Sequence, residues 1–355
     1  MAGKRERKSG RMGHLLEAVC FLLVFLFLFQ GVSRVLRGRP DVGSNAFFYE
    51  EPRQSLDVLF LGSSHMLNAV SPMQLWEEQG VPSGNLGVNG QVLPVTYYTL
   101  QEALRYQKPR VVVLDIYKVV QDSLIDSKGS LHAALDGMPL WSLPKYRSAF
   151  DLLPKGERAE FLLDIIVYHD RWKEVTGEDF LPADTREKGA QILFTVEQPY
   201  QGWEVLPEGK TAPPAQVEMD YLEKIIALCQ KEDISLLLVA VPYTTPEKDD
   251  LNRQAVVNGM AAYAAEKGLP YLNLMHKTGE MGFDFSSDMA DMYHVNWKGM
   301  EKVTALLGEY LVQNYDLTDR REDPAYADWN EDLLAYRAYL EERLQALPDN
   351  KETTP

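Results

Sequence analysis

A serine at position 64 and an Asp-x-x-His pair at 291–294 are the residue types of an acyl-transfer site. A serine hydroxyl is a weak nucleophile, so it needs an adjacent base and donors for the developing oxyanion. His294 is the natural base near neutral pH. Asp291, three residues earlier in a loop, is placed to accept from its Nδ1–H and leave Nε2 free for Ser64. Ser64 lies in Gly62-Ser63-Ser64-His65, directly after the apolar run Val58-Leu59-Phe60-Leu61. A turn at that place exposes a side chain at the strand's C-terminal end and aims backbone N–H groups into the same space. Each string has a plainer reading: Gly-Ser-Ser makes a tight turn, Asp291 caps a turn and His294 is a loop histidine. Their joint presence favours catalysis.

The elements that must position these residues alternate. Apolar runs of strand length lie at 55–61, 85–88, 110–116, 234–241 and 270–274. Helical patterns lie at 72–80 (with Ser71 as N-cap beside Pro72), 92–107, 217–231, 246–266 and 297–313. The strand 110–116 (RVVVLDI) is β-branched and apolar, as a central parallel strand should be. The alternation predicts a three-layer α/β/α sandwich around a mostly parallel sheet. Residues 117–210 break the rhythm, with many prolines and aromatics and a helical piece near 157–167. An insertion after a strand's C-terminal end borders the ligand crevice of such a sheet, so it is a candidate lid. A helix is expected at 329–347, with disorder beyond it.

Net charge is −16 over 355 residues, unevenly spread. Residues 1–39 hold eight Lys/Arg against Glu6 and Glu17, a charge of +6, which leaves −22 on the remainder. An acidic body argues against nucleic acid as a partner. Five basic residues precede the apolar stretch 15–36, whose uninterrupted core runs from 18 to 29. That core also suits the h-region of a cleaved signal peptide, but no small-x-small cleavage site follows. The balance of basic flanks predicts a single-pass anchor in the cell membrane, N-terminus cytoplasmic and α/β domain outside. The expected organisation is therefore a basic tail at 1–14, an anchor at 15–36 and a linker at 37–54. The body follows at 55–315, and an acidic helix and tail at 316–355. Cys20 and Cys229 are too dissimilar in setting to predict a structural disulfide.

On these motifs the chain resembles the SGNH (GDSL-like) hydrolase superfamily over roughly 55–315, apart from the insertion. The family's Gly-x-Ser block matches Gly62-Ser63-Ser64. Its Asn-x-x-x-x-Gly block is similar to Asn85-Leu86-Gly87-Val88-Asn89-Gly90, and its Asp-x-x-His block matches Asp291 and His294. The resemblance implies a five-stranded sheet of flavodoxin-like order and a Ser64 nucleophile. It also implies oxyanion donors from the Ser64 amide and Gly90, next to Asn89. The family's Gly-x-Asn-Asp block has no counterpart: the strand 110–116 runs into Tyr117-Lys118, and either residue could point into the site or be structural. Membrane-anchored relatives with Gly-Ser-Ser resemble proteins of teichoic-acid D-alanylation and exopolysaccharide O-acetylation. This implies an envelope glycan or an acylated carrier as substrate and an integral-membrane acyltransferase as partner. The missing Asn also fits a degenerate module that binds glycan or scaffolds such a complex.

Within the insertion, His169, Arg171 and Trp172 offer a titratable ring, a guanidinium for phosphate or carboxylate, and an indole for stacking on a sugar. They equally suit a helix end, with Trp172 packed and Asp170 paired to Arg171. Neither a metal-ligand spacing nor a glycine-rich phosphate loop occurs in the sequence, so no cofactor is expected.

Overall fold

The computed structural model describes residues 3–38, 45–163, 165–182, 184–196, 205–245 and 248–347. Five parallel strands form one sheet: β1 (Val58–Leu61), β2 (Ser83–Asn85), β3 (Val111–Asp115), β4 (Ser235–Ala240) and β5 (Tyr271–Asn273). Their order is β2-β1-β3-β4-β5, the flavodoxin-like arrangement, with Val58 paired to Val111 and Val111 to Ser235. Apolar side chains fill β1 and β3 on both faces, and residues 58–61 and 111–114 are wholly buried. Such two-sided burial requires helices on each side, and the chain supplies them.

The helices, in chain order, begin with α1 (Gly3–Arg37), α2 (Ser64–Ala69), α3 (Pro72–Gln79) and α4 (Leu93–Ala103). Between β3 and β4 come α5 (Lys128–Leu135), α6 (Leu143–Leu152), α7 (Arg158–Leu162), α8 (Ile165–Tyr168) and α9 (Gln216–Lys231). Then follow α10 (Lys248–Lys267), α11 (Trp297–Asn314) and α12 (Ala327–Gln345). One layer joins α11 and α12 to α3, and another joins α6 and α9 to α4. Ser71 caps α3 as expected, accepting from the Gln74 amide, with Pro72 in the first helical position.

The structure differs from the sequence reading in several places. The second strand is Ser83–Asn85, where the apolar run suggested 85–88. Register decides this: Val58 aligns with Ser83, so Leu86 falls opposite Leu61, the last residue of β1, and residues 87–88 have passed its end. Amides of this segment still donate to it, Leu86 N–H to the Phe60 carbonyl and Val88 N–H to the Gly62 carbonyl. The outer edge of β2 is covered too, because Asn85 N–H donates to the Lys188 carbonyl. Residues 45–49 of the expected linker form a 3-10 turn that buries Phe47 and Phe48 in the core. Phe47 lies against Gly84 and Gly189, where any side chain would collide with its ring. The helical piece expected near 157–167 breaks at Leu163, whose backbone is extended. Residues 39–44 of the expected linker, 197–204 of the insertion, 246–247 of the helix before β5, and the tail 348–355 lie outside the described residues.

The helix α1 runs without interruption, and its stretch from Met12 to Arg37 is long and apolar enough to cross a membrane (mean hydropathy 2.4). At the other end of the chain, α12 is bound to the body. Trp329, Leu333 and Tyr336 are buried, Trp329 lies 5.3 Å from Trp76 between ring centroids, and the Tyr336 hydroxyl is 2.9 Å from Ser71 Oγ.

Candidate active site

Ser64 is the first residue of α2 and stands half-exposed among buried neighbours at the C-terminal end of β1. Two residues set that position. Gly62 has φ +148°, and a Cβ there would come within 2.6 Å of Asp115 Cβ, so a side chain is excluded on both counts. Ser63 is the N-cap of α2: its Oγ accepts from the His65 amide and donates to Asp115 Oδ2 at 2.9 Å. Asp115, at the end of β3, also accepts from the Tyr117 amide. Burial pushes the Asp115 carboxyl up to about 6, against the lowering effect of the Ser63 and Tyr117 hydrogen bonds and the Lys118 charge.

The partner loop arrives 230 residues later. His294 Nε2 lies 2.8 Å from Ser64 Oγ, and Nδ1 lies 2.8 Å from Asp291 Oδ2. Asp291 also accepts from the Tyr293 and His294 amides at 2.7 and 2.8 Å. Its half-burial would raise the carboxyl pKa, but the His294 ring and these amides outweigh it and hold the group below the usual carboxylate range. The backbone fixes the loop: Ala290 N–H donates to the His294 carbonyl, and Met289 bridges Val295. Asn296 then caps α11, accepting from the Lys298 and Gly299 amides, while its own amide group donates to the Ser287 and Met289 carbonyls.

Behind Ser64, His65 is buried and stacked on Tyr117 with ring centroids 3.4 Å apart. Burial, then coupling to the neighbouring His294, Arg253 and Lys118, lowers its pKa well below the ordinary histidine value. This ring is therefore neutral at physiological pH. Tyr243 packs edge-on against both rings, and the Arg253 guanidinium sits 4.4 Å above Tyr117. The Arg253 Nε–H is buried and has no hydrogen-bond partner among the described residues.

The segment that carries the expected donor Gly90 is tied to the serine turn. Through Val88 the 86–90 turn is hydrogen-bonded to Gly62, and Gly87 presses on Leu67 of α2. Gly90 has φ +71° and lies against Asp126, so a side chain there would meet that carboxylate. Asn89 is exposed. The Ser64 N–H, at a helix start, has no partner within α2. The position after β3 is filled differently from the expected Asn. Asp115 turns inward to Ser63, Tyr117 is a buried wall residue stacked on His65, and Lys118 pairs with Asp126 at 2.9 Å.

His169, Arg171 and Trp172 do not join this cluster. Arg171 donates to the Leu36 and Val35 carbonyls at the end of α1 and to Asp179 Oδ1 at 2.7 Å. It caps the last turn of α1, where Gly38 (φ +95°) leaves room for its guanidinium. Trp172 is 65% exposed, and His169 is exposed with Nδ1 on the Ile166 carbonyl. Asp170 pairs with Lys173 rather than Arg171. Among the described residues no hydrogen bond, ion pair or ring contact links these three to Ser64 or His294. From the insertion, Thr195 does reach the partner loop, donating to the Ala290 carbonyl.

Asp115, Tyr243 and Arg253 are the site residues that sequence reasoning did not single out. Asp115 carried a signal, as the lone charge ending an apolar central strand. Among the described residues no group of three or more His, Cys, Asp or Glu is arranged to hold a metal ion.

No family model matches the sequence, and no curated protein matches it. Solved structures give distant likenesses. One is a Bacteroides fragilis NCTC 9343 protein provisionally described as an acylhydrolase, at 11% identity and TM-score 0.39. The match covers 76% of this chain and 94% of that one. Another is a Desulfitobacterium hafniense DCB-2 protein provisionally described as lipolytic, of the G-D-S-L family, at 12% identity and TM-score 0.37. It covers 72% of this chain and 98% of that one.

Proposed function

We propose that this chain is a membrane-anchored serine esterase or acyltransferase that acts on hydroxyl groups of a cell-envelope polysaccharide or polyol. The observation that carries the reading is the chain of contacts from Ser64 Oγ through His294 to Asp291. In it, His294 Nε2 takes the Ser64 proton as Oγ attacks an acyl carbonyl. Asp291 accepts from Nδ1–H and stabilises the imidazolium. The Ser64 and Gly90 amides meet the oxyanion. Collapse releases the donor's leaving group, protonated by His294, and leaves the acyl group on Ser64. An incoming alcohol or water then gives His294 its proton and carries the acyl group away.

The envelope assignment rests on α1, read as an anchor with the body on the outer side, and on the resemblance to envelope-modifying SGNH proteins. An acylated carrier would serve as donor, and an integral-membrane acyltransferase would supply it. The expected test is labelling of detergent-solubilised protein by a fluorophosphonate probe. Labelling should vanish in Ser64→Ala and fall sharply in His294→Ala. Loss of labelling with no change in envelope acylation in cells would refute the envelope role while leaving the esterase chemistry intact. A second reading, a binding or scaffolding module, is favoured by Asp115 standing near the place of the usual Asn donor. Full complementation of a deletion by Ser64→Ala would select it.

A further inference from the structure

The body of the protein meets α1 before the helix has run long enough to cross a bilayer. Every large apolar side chain from Met12 to Leu28 is at least 40% exposed, whereas Ser33 and Leu36 are buried and Phe29 and Gln30 partly covered. The His14–Glu17 pair belongs near the polar boundary, so the apolar run begins at Ala18. From there to Val32, which is still 50% exposed beside the exposed Gly31, is fifteen residues, about 23 Å at the α-helical rise. A hydrocarbon core of about 30 Å needs about twenty apolar residues, so the span must continue into the turns that the body covers.

The elements that cover those turns are α8, the 3-10 turn His169–Lys173 and the 3-10 turn Gly177–Phe180. They and their flanks carry a cluster of exposed apolar residues: Leu163 (41%), Ile166 (45%), Val167 (38%), Trp172 (65%), Phe180 (68%) and Leu181 (48%). Arg171 holds the cluster to the helix end through the Leu36 and Val35 carbonyls and Asp179. Aromatic residues of this kind favour the membrane–water boundary, where a ring can be half in lipid. The surrounding charges are mixed: exposed Asp170, Glu174 and Glu178 against Lys173. Apolar contact, not attraction to anionic lipid, would therefore hold this face.

We infer that the α8–Leu181 face is a lipid-docking surface, seated at the headgroup–acyl boundary of the outer leaflet beside α1. The proposal rests on reading α1 as a membrane span, and it adds that the body itself enters the interface. The test uses the full chain in phosphatidylcholine vesicles, with a fluorophore on a single introduced cysteine and Cys20→Ser as background. Cys229 is buried, with its thiol pushed up to about 12, so it does not compete for label. Probes are placed by Trp172→Cys, Phe180→Cys and Leu22→Cys, with Leu334→Cys on α12 as the solvent reference. Nitroxide lipids labelled near the glycerol should quench the probes at 172 and 180 more than lipids labelled near the chain end, and equally at low and high salt. The order should reverse at 22. Quenching at 22 with none at 172 and 180 would overturn the docking surface and leave the anchor standing, the face then being open to a protein partner. Absence of quenching at all three would remove the anchor reading and the proposal with it. Quenching at 172 and 180 that high salt abolishes would overturn the apolar mechanism.

Discussion

Ser63 and Ser64 are adjacent and chemically identical, yet they face opposite ways. Ser63 caps α2 and donates to a buried carboxylate, while Ser64 faces a histidine. Replacing Asp291 by Asn would swap an acceptor for a donor at His294 Nδ1 and disfavour the needed tautomer. Turnover of a soluble ester should fall by up to roughly 10⁴-fold, measured as kcat. Asp115 makes a second prediction. Its folded-state pKa of about 6 exceeds the value of about 3.9 in an unfolded chain, so the folded state holds the extra proton between these limits. Stability from this group is therefore full below pH ~4, declines as pH rises through ~6 and is flat above, a total of ~3 kcal/mol. Asp115→Asn should remove that decline, read from urea midpoints between pH 4 and 7. Parallel curves for the two proteins would refute the assignment. The contacts joining Ser64, His294 and Asp291 were legible from type and spacing, because a three-residue spacing in a loop lets the histidine and the carboxylate turn to one side. Asp115 was not, since its role depends on the neighbouring strand placing Gly62 against it.

At the scale of elements, long apolar runs were easier to locate than short polar ones. The strands β1, β3 and β4 are β-branched or leucine-rich and bury both faces, so their sequence alone marks them. Ser83-Gly84-Asn85 has no strand composition, and pairing with Val58–Phe60 makes it β2. The reading of Arg171 failed for a related reason: its partners are carbonyls 135 and 136 residues earlier, and nothing near it in sequence announces them. Arg171→Ala should uncap α1 and take the guanidinium away from the buried Asp179, which keeps the Thr176 amide, costing about 1–3 kcal/mol by thermal denaturation in detergent. Its kcat on a soluble ester should stay within about twofold of wild type, since the residue touches the joint and not Ser64. A large loss of kcat at unchanged stability would return it to the active site.

For the molecule as a whole, the two chain ends have opposite fates. The C-terminal helix α12 closes the body: Trp329 packs between Trp76 and the Lys188 ammonium, which itself pairs with Glu51 and Asp332. Trp329→Ala should cost about 3–5 kcal/mol in chemical denaturation, a core-sized loss from a residue outside the α/β sandwich. An unchanged midpoint would make α12 a passive appendage.

The N-terminal helix leaves the body at a joint closed on several sides by Arg171, Asp179 and the buried Ser33 and Leu36. On the anchored reading, this joint has a kinetic meaning. A body that cannot swivel samples substrate by lateral drift in the membrane plane, and Ser64 travels at one constant height. Polymer segments at that height would be modified in proportion to how often they pass it, and longer strands would be treated near their membrane-proximal end first. Lengthening the joint with a flexible insert would then move the zone of modification outward without touching a catalytic residue.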